Sequence, residues 1–369
     1  YYHALDLFGN VPFVDENTPA GELPKRITRA ELFTWVESEL LAVANDLKDP
    51  KTNEYGRADK AAAWTLLARL YLNAKVYSGS ERNNDVITYT NKVIGAGYAL
   101  KKQTIKVPDP DNPGQTKDKD ISYESLFLAD NNLNNPEVIL SINYDGLKSQ
   151  TYGGTTFLVH AAVGGSMAPA DFGIGGGWGG LRVTKNFVNR FTDTNDKRGN
   201  FYTQGQSLEI NDLGDFKNGY AFIKYKNVTS TGVSGSDKSG VFVDTDLPLY
   251  RLSDVYLMYA EATLRGGNGS LSTALGYINA LKTRAGAATI SSGDLTLNFI
   301  LDERSRELSW EFTRRTDLIR FGLFTSSTYL WPWKGGVKDG KGVEDYRNLF
   351  PIPANDIVAN RNLVQNPGY

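Results

Sequence analysis

The densest set of proton-moving groups is Glu303, Arg304, Arg306, Glu307, Glu311, Arg314, Arg315 and Asp317, near the C-terminus. Paired carboxylates cleave glycosidic bonds when they face each other across a cleft and one is kept protonated by its surroundings. Glu303, Glu307 and Glu311 instead follow an i, i+4 spacing on a predicted helix, with Arg304, Arg314 and Arg315 close by. That is the pattern of a structural ion-pair network. A helical glycoside hydrolase therefore stands only as an alternative, and the chain is read as no enzyme. Other catalytic chemistries lack material. There is no Cys for a thiolate, a disulfide or a metal site, and only His3 and His160 supply imidazole, too little for multi-His zinc or a Ser/His/Asp triad.

Two further segments look like ligand loops. In Asp109–Asp120, the residues Asp109, Asp111, Gly114 and Asp120 stand at calcium-loop offsets, but Pro113 and Lys117 occupy ligand positions. The match to oxygen-ligand geometry is poor, so the segment reads as a solvated surface loop with no metal assigned. The Gly-rich run from Phe172 to Gly180 lacks the Lys-Ser/Thr ending of a phosphate loop and follows no clear βαβ unit. Glycines around one Trp have another use, because they let backbone and ligand approach closely and leave the neighbouring ring uncovered. Trp178 would then be presented to solvent, although a tight turn packing it into the core fits the same residues.

Aromatics are plentiful, with 20 Tyr, 17 Phe and 6 Trp. Most belong to the core, but a surface with such rings among Asn-rich loops suits sugars, whose apolar C–H faces pack on flat rings while their hydroxyls take polar partners. Lys plus Arg total 40 against 42 Asp plus Glu, a net charge of −2. No field recruits nucleic acid or an anionic membrane surface. No run of 18 apolar residues exists to span a bilayer as a helix. The chain opens with YYHALDLFGNVPF, an uncapped apolar run that reads as the interior of a fold. Upstream sequence completing the scaffold is expected, since a start there would leave Tyr1, Leu5, Leu7 and Phe8 in water.

These groups must be positioned by helices. Apolar residues recur at three- and four-residue steps from Thr28 to Lys48, from Ala58 to Tyr77 and from Asn84 to Ile94. Pairs of such helices with small residues at close-approach positions form tetratricopeptide-type units. The pattern returns at Leu252–Leu264 and Leu271–Ala285, and a final helix is predicted over Asn298–Phe321. Residues 1–100 and 249–322 thus form a helical repeat scaffold, and residues 101–248 a loop-rich region with short strands, where binding residues concentrate. The fold class is mostly α, a tetratricopeptide-type solenoid packed against that irregular region; a peptide-binding scaffold of this kind is the other alternative function.

At these same segments the chain resembles the SusD/RagB family of Bacteroidetes surface lipoproteins, and within it the starch-binding branch. The matching stretches include DLFGNVPF (6–13), GRADKAAAWTLLARLYLNAKVY (56–77), EVILSINYDG (137–146), YGGTTFLV (152–159) and DTDLPLYRLSDVYLMYAEA (244–262). The C-terminal signature is the most specific: ERSRELSWEFTRRTDLIRFG (303–322), YLWPWKGG (329–336) and LFPIPANDI to QNPGY within 323–369. The resemblance implies one domain over 1–369 whose N-terminal part is absent. It implies non-catalytic capture of a polysaccharide or oligosaccharide, an α-glucan such as starch first and a β-1,3-glucan such as laminarin second. It further implies delivery to a SusC-like TonB-dependent transporter, a lipid anchor at the outer membrane's cell-surface face upstream of this chain, and no cofactor. The glycan-binding set that goes with it is Tyr152, Trp178, Lys148, Gln150 and Met167. Trp331 and Trp333, signature residues beside the last helix, are expected to hold the fold together. The Gly175–Gly177 run and the 109–120 loop depart from the starch-binding branch.

Overall fold

Helix α1 (Tyr2–Leu7) and an antiparallel ribbon, β1 (Val11–Phe13) with β2 (Lys25–Ile27), open the computed structural model, which describes residues 1–369. Asp6 is buried and accepts hydrogen bonds from the hydroxyls of Tyr77 at 2.7 Å and Thr316 at 2.8 Å. This seats α1 on the helices that follow. The expected exposure of the opening run is corrected: Leu5 is fully buried and Leu7 and Phe8 half-buried, leaving only Tyr1 exposed of the four.

Thr28 starts α2 (Arg29–Asp46) with a reciprocal cap, its hydroxyl accepting from the Glu31 N–H and the Glu31 carboxylate from the Thr28 N–H. Asp59 caps α3 (Lys60–Leu72) by accepting from the N–H groups of Ala61 and Ala62. The helix expected to continue to Tyr77 breaks at Asn73, whose side-chain amide donates to the Arg69 carbonyl at 2.9 Å. Such local bonding competes with the helical ladder, and α4 (Ala74–Ser78) resumes beyond it. Helix α5 (Asn83–Ile94) packs back on α3, with Ala61, Ala62 and Ala68 buried between larger side chains.

The loop-rich region is held by short pairings. Strands β3 (Thr104–Pro108) and β4 (Thr116–Asp120) pair across the Asp109–Gln115 turn, so the segment read as a loop is the arm of a hairpin, with Lys117 3.5 Å from Asp109. Next come β5 (Val138–Ile142), α6 (Gly154–Ala161), α7 (Lys185–Val188), β6 (Phe201–Tyr202) with its partner β7 (Ala221–Phe222), and β8 (Leu247–Arg251), which pairs with β5. Strand β8 runs straight into α8 (Leu252–Leu264), which packs on α5 and on α9 (Leu271–Arg284). Then follow α10 (Leu297–Glu307), α11 (Arg314–Arg320) and α12 (Ala354–Ala359). Two cores result. One fills the helical scaffold around Leu67, Leu70, Leu252 and Met258; the other fills the loop-rich region around Phe127, Val159, Met167 and Phe172.

A buried ion network sits where the two meet. Arg251, at the junction of β8 and α8, donates to Glu311 at 2.7 Å, to Glu307 at 2.6 Å and to Glu137 at 3.0 Å. Arg284 bridges Glu137 and Glu307, and Arg198 reaches Asp196, Glu303 and Glu307. Lys224 donates to Glu311 at 2.6 Å; burial pulls its ammonium down to about 8 even though Glu311 opposes the shift. Burial works against the charge on Glu307, but Arg284, Arg251 and Arg198 outweigh it and hold that carboxyl well below its ordinary range.

The same network explains why the expected helix over 298–321 is two helices. In a continuous helix the Glu307 carbonyl would accept from the Glu311 N–H. Here it accepts from Arg251 at 2.7 Å, Lys224 at 3.1 Å and Tyr123 at 3.2 Å. Glu311 leaves the helical path to meet Arg251 and Lys224, and Trp310 and Phe312 turn through positive φ of 58° and 61°. Glu303 and Glu307 therefore share a helix as expected, whereas Glu311 does not.

Glu307→Gln leaves three buried guanidiniums short of a charge, and breaking buried pairs costs about 3–5 kcal/mol; a large fall in melting temperature is expected, and an unchanged one would contradict the network's structural role. A second network makes acid sensitivity predictable. Burial disfavours the charges of Asp254 and Glu261, but Arg69 and Arg304 hold Asp254, and Arg320 holds Glu261, at about 2 against ordinary values of 3.8 and 4.5. Carboxyls depressed on folding stabilise above their unfolded values and lose that contribution as they protonate. The melting temperature should fall as pH drops from ~4.5 to ~2, less steeply in Asp254→Asn; a flat profile in both would show that these pairs contribute nothing.

Candidate functional site

Gly154, at φ +56°, starts α6 directly against Tyr144, where a β-carbon would collide with the Tyr144 hydroxyl. Tyr152, just before that start, is 64% exposed. Helix α6 buries Leu158, Val159 and His160 while Phe157 faces solvent. The His160 ring nitrogen Nδ1 is 2.7 Å from the Gly176 carbonyl, and the His160 carbonyl accepts from the Trp178 N–H at 2.8 Å. The two rings stack, 4.8 Å apart and 23° from parallel.

The glycines of the 172–180 run serve the protein more than a ligand. A β-carbon on Gly173 would strike the Asn227 carbonyl, one on Gly175 the Ser239 carbonyl and one on Gly177 the Val163 carbonyl. The run is thus docked by its bare backbone, with Gly175 N–H donating to Gly240 and Gly179 N–H to Val163, both at 2.9 Å. Close docking on both sides leaves Trp178 no core to enter, and the ring stays 45% exposed.

A contiguous aromatic surface results. Tyr152 lies 6.3 Å from Trp178 and 5.2 Å from Phe242, and Phe157 lies 6.2 Å from Trp178. The structure therefore brings Tyr152 and Trp178 together. Lys148 and Gln150 lie on the exposed stretch leading to Tyr152, with the Lys148 ammonium 3.3 Å from Asp145. Met167 is corrected: it is 6% exposed and packed in the second core with Val163 and Phe172, so no sugar reaches it. Phe157, His160 and Phe242 escaped the sequence reading. Helix α6 buries its polar Thr155, Thr156 and His160, so its pattern does not mark Phe157 as the outward residue, and Phe242 joins through a tertiary contact alone.

The remaining candidates are structural. Trp333 donates its indole N–H to the Ile210 carbonyl at 2.9 Å, and Trp331 packs beneath the buried Lys334 ammonium, 4.6 Å from the ring centre. Asp246 is the carboxyl that burial pushes up; the Tyr55 hydroxyl at 2.6 Å and the Tyr144 N–H at 2.7 Å already occupy it. Glu303 and Glu307 are wholly buried and held as anions by arginine, the opposite of what a general acid needs.

Comparison with known proteins follows the same outline. The SusD family profile matches residues 207–369. The starch-binding protein SusD of Bacteroides thetaiotaomicron is 33% identical, across all of this chain and 70% of its own length. SusD-like protein P2 of Formosa agariphila is 26% identical over all of this chain and 72% of its own. Among solved structures, a SusD superfamily protein from Parabacteroides distasonis superposes with a TM-score of 0.72 at 24% identity, covering 100% of this chain and 76% of that one. Surface glycan-binding protein A from Bacteroides thetaiotaomicron, in complex with laminarihexaose, gives a TM-score of 0.70 at 24% identity, covering 98% and 74%. With a mostly helical fold shared with these structures and a third of its residues identical to a starch-binding relative along its whole length, the chain belongs to the SusD family.

Proposed function

We propose that this chain binds a neutral glucan, without cleaving it, on the platform formed by Tyr152, Trp178, Phe157 and Phe242. The observation that carries the reading is that Tyr152 and Trp178 are 64% and 45% exposed with ring centres 6.3 Å apart, Trp178 being held by the docked backbone of the Gly-rich run and by the His160 stack. Rings held in place and left bare offer apolar faces to sugar C–H groups with little ordering cost on binding. Lys148, paired with Asp145, and Gln150 lie exposed on the adjoining stretch and supply hydrogen bonds to hydroxyls at its edge. An α-glucan of the starch type is the first ligand, supported by the 33% identity to a starch-binding protein. A β-1,3-glucan is the second, suggested by the more distant laminarihexaose-bound relative. Family membership supports a place on the cell-surface side of the outer membrane, through a lipid anchor upstream of Tyr1, and handover of the glycan to a SusC-like TonB-dependent transporter. No helix here is long and apolar enough to cross a membrane. A catalytic role is disfavoured by the arginine-paired carboxylates.

Affinity electrophoresis through gels containing starch or laminarin tests the platform. Trp178→Ala and Tyr152→Ala should each abolish the retardation of the wild-type chain, at a stability cost of roughly 1 kcal/mol or less, as for other exposed substitutions. Met167→Ala should show the reverse, retained binding and a loss of about 2–5 kcal/mol. A large drop in melting temperature for Trp178→Ala, or full retardation without the ring, would sink the proposal. Incubation of the purified chain with either glucan should release no reducing ends; steady release would replace binding with hydrolysis.

A further inference from the structure

A cavity of about 700 Å³ opens beneath the β3–β4 hairpin, apart from the residues of the aromatic platform. Its size falls in the roughly 300–1,000 Å³ range of small-ligand sites. Tyr123, Phe127 and Phe222 floor it, Ile105 and Val107 of β3 form one wall, and the turn from Val228 to Gly232 forms the other.

The lining is strongly basic. Lys106, Lys119, Lys197, Arg198, Lys224 and Lys226 face it against one carboxylate, Glu124. Five of those cations are already matched: Lys106 lies 2.9 Å from Asp118, Lys119 3.3 Å from Glu124 and Lys197 2.8 Å from Asp120. Arg198 is held by Asp196, Glu303 and Glu307, and Lys224 by Glu311. Lys226 alone makes no ion pair and no side-chain hydrogen bond, and the carboxylates of Glu124 and Asp171 act on it only from a distance. Its ammonium lies 5.3 Å from the Phe172 ring centre in a half-buried position, and burial draws it below the ordinary lysine range although Glu124 opposes the shift. A partly desolvated cation with no counter-ion in contact is costly, and an anion placed beside it recovers part of that cost. Hydroxyls and an amide share the lining with these charges. The Thr229 and Thr231 hydroxyls lie 3.0 Å apart, with the Thr229 oxygen also accepting from the Val233 N–H at 3.1 Å, and Asn200, whose amide donates to the Ile223 carbonyl at 3.0 Å, lies on the same lining.

We propose that this cavity binds a carboxylate-bearing sugar, a hexuronic acid or a short oligouronate, with the carboxylate on Lys226 and the ring hydroxyls on Thr229, Thr231 and Asn200. The site is independent of the neutral-glucan platform and would stand if that reading failed. Phe172 links the two places, since its backbone carbonyl accepts from the Asn227 N–H next to Lys226.

Titration calorimetry on the whole chain tests it with D-glucuronate, glucose and acetate as probes. Glucuronate should bind, with glucose and acetate each weaker by about tenfold or more, the factor that about 1.4 kcal/mol represents. Lys226→Met should weaken glucuronate by a similar factor, Lys226→Arg should largely keep it, and retardation in neutral glucan gels should be the same in all three proteins. Absence of any glucuronate heat would overturn the proposal. So would acetate binding as well as glucuronate, which would mean the hydroxyls contribute nothing, or an unweakened Lys226→Met. The three-probe comparison on the wild-type chain needs no variant and decides the matter even if Lys226→Met folds poorly.

Discussion

Arg251 joins the two halves of this molecule. Its guanidinium leaves the β8–α8 junction and meets Glu137 from the loop-rich region, Glu307 from α10 and Glu311 from the turn beyond it. Arg198 and Lys224 complete the junction from the loop-rich side, Arg284 and Glu303 from the scaffold side. Buried charges tolerate little displacement, because each one left unpaired costs several kcal/mol. A network of this kind sets orientation more than it adds net stability. The scaffold and the irregular region each have an apolar core, and what lies between them is directional.

That constraint reaches the site in steps. Lys224 is pinned to the Glu311 turn, and Tyr225 and Lys226 follow it along the chain into the second core and the wall of the basic cavity. Asn227, next in order, accepts Gly235 and Asp244 N–H groups and donates to the carbonyls of Phe172 and Gly173. The Gly-rich run is therefore tied through Asn227 and Ser239 on one side and through Val163 on the other. Trp178 rides on that run with His160 stacked beneath it. Although the surface is built from loops, its rings sit on close-packed backbone, which is how irregular segments become rigid enough to recognise a ligand by shape.

Much of the scaffold was legible in the sequence because helices write their burial at a fixed period. The starts of α2 and α3, capped by Thr28 and Asp59, fall within two residues of the periodic segments expected from Thr28 and Ala58, and α8 spans the expected Leu252–Leu264. The helix over 298–321 was misread for a reason no local pattern reveals. Its break is made by Arg251, Lys224 and Tyr123 taking the Glu307 carbonyl, contacts that depend on the folded whole. The exposure expected of Leu5 in the opening run failed for a like reason, since the seating of that helix depends on partners as distant as Thr316. At the site, glycine density pointed to Trp178, but the purpose of those glycines was visible only once Val163, Asn227 and Ser239 were seen to press on them. Met167 misled because a flexible apolar side chain serves a core and a binding surface equally well.

The central claim is that the platform exists before the glycan arrives, fixed by backbone docking and by the buried network behind it. Crystals of the chain grown with and without a maltooligosaccharide test this most directly. Sugar rings should lie on Tyr152 and Trp178, with the backbone of residues 152–180 superposing within about 1 Å between the two forms, as in pre-organised complexes. A sugar bound elsewhere, or a 172–180 run that rearranges to meet it, would contradict the claim.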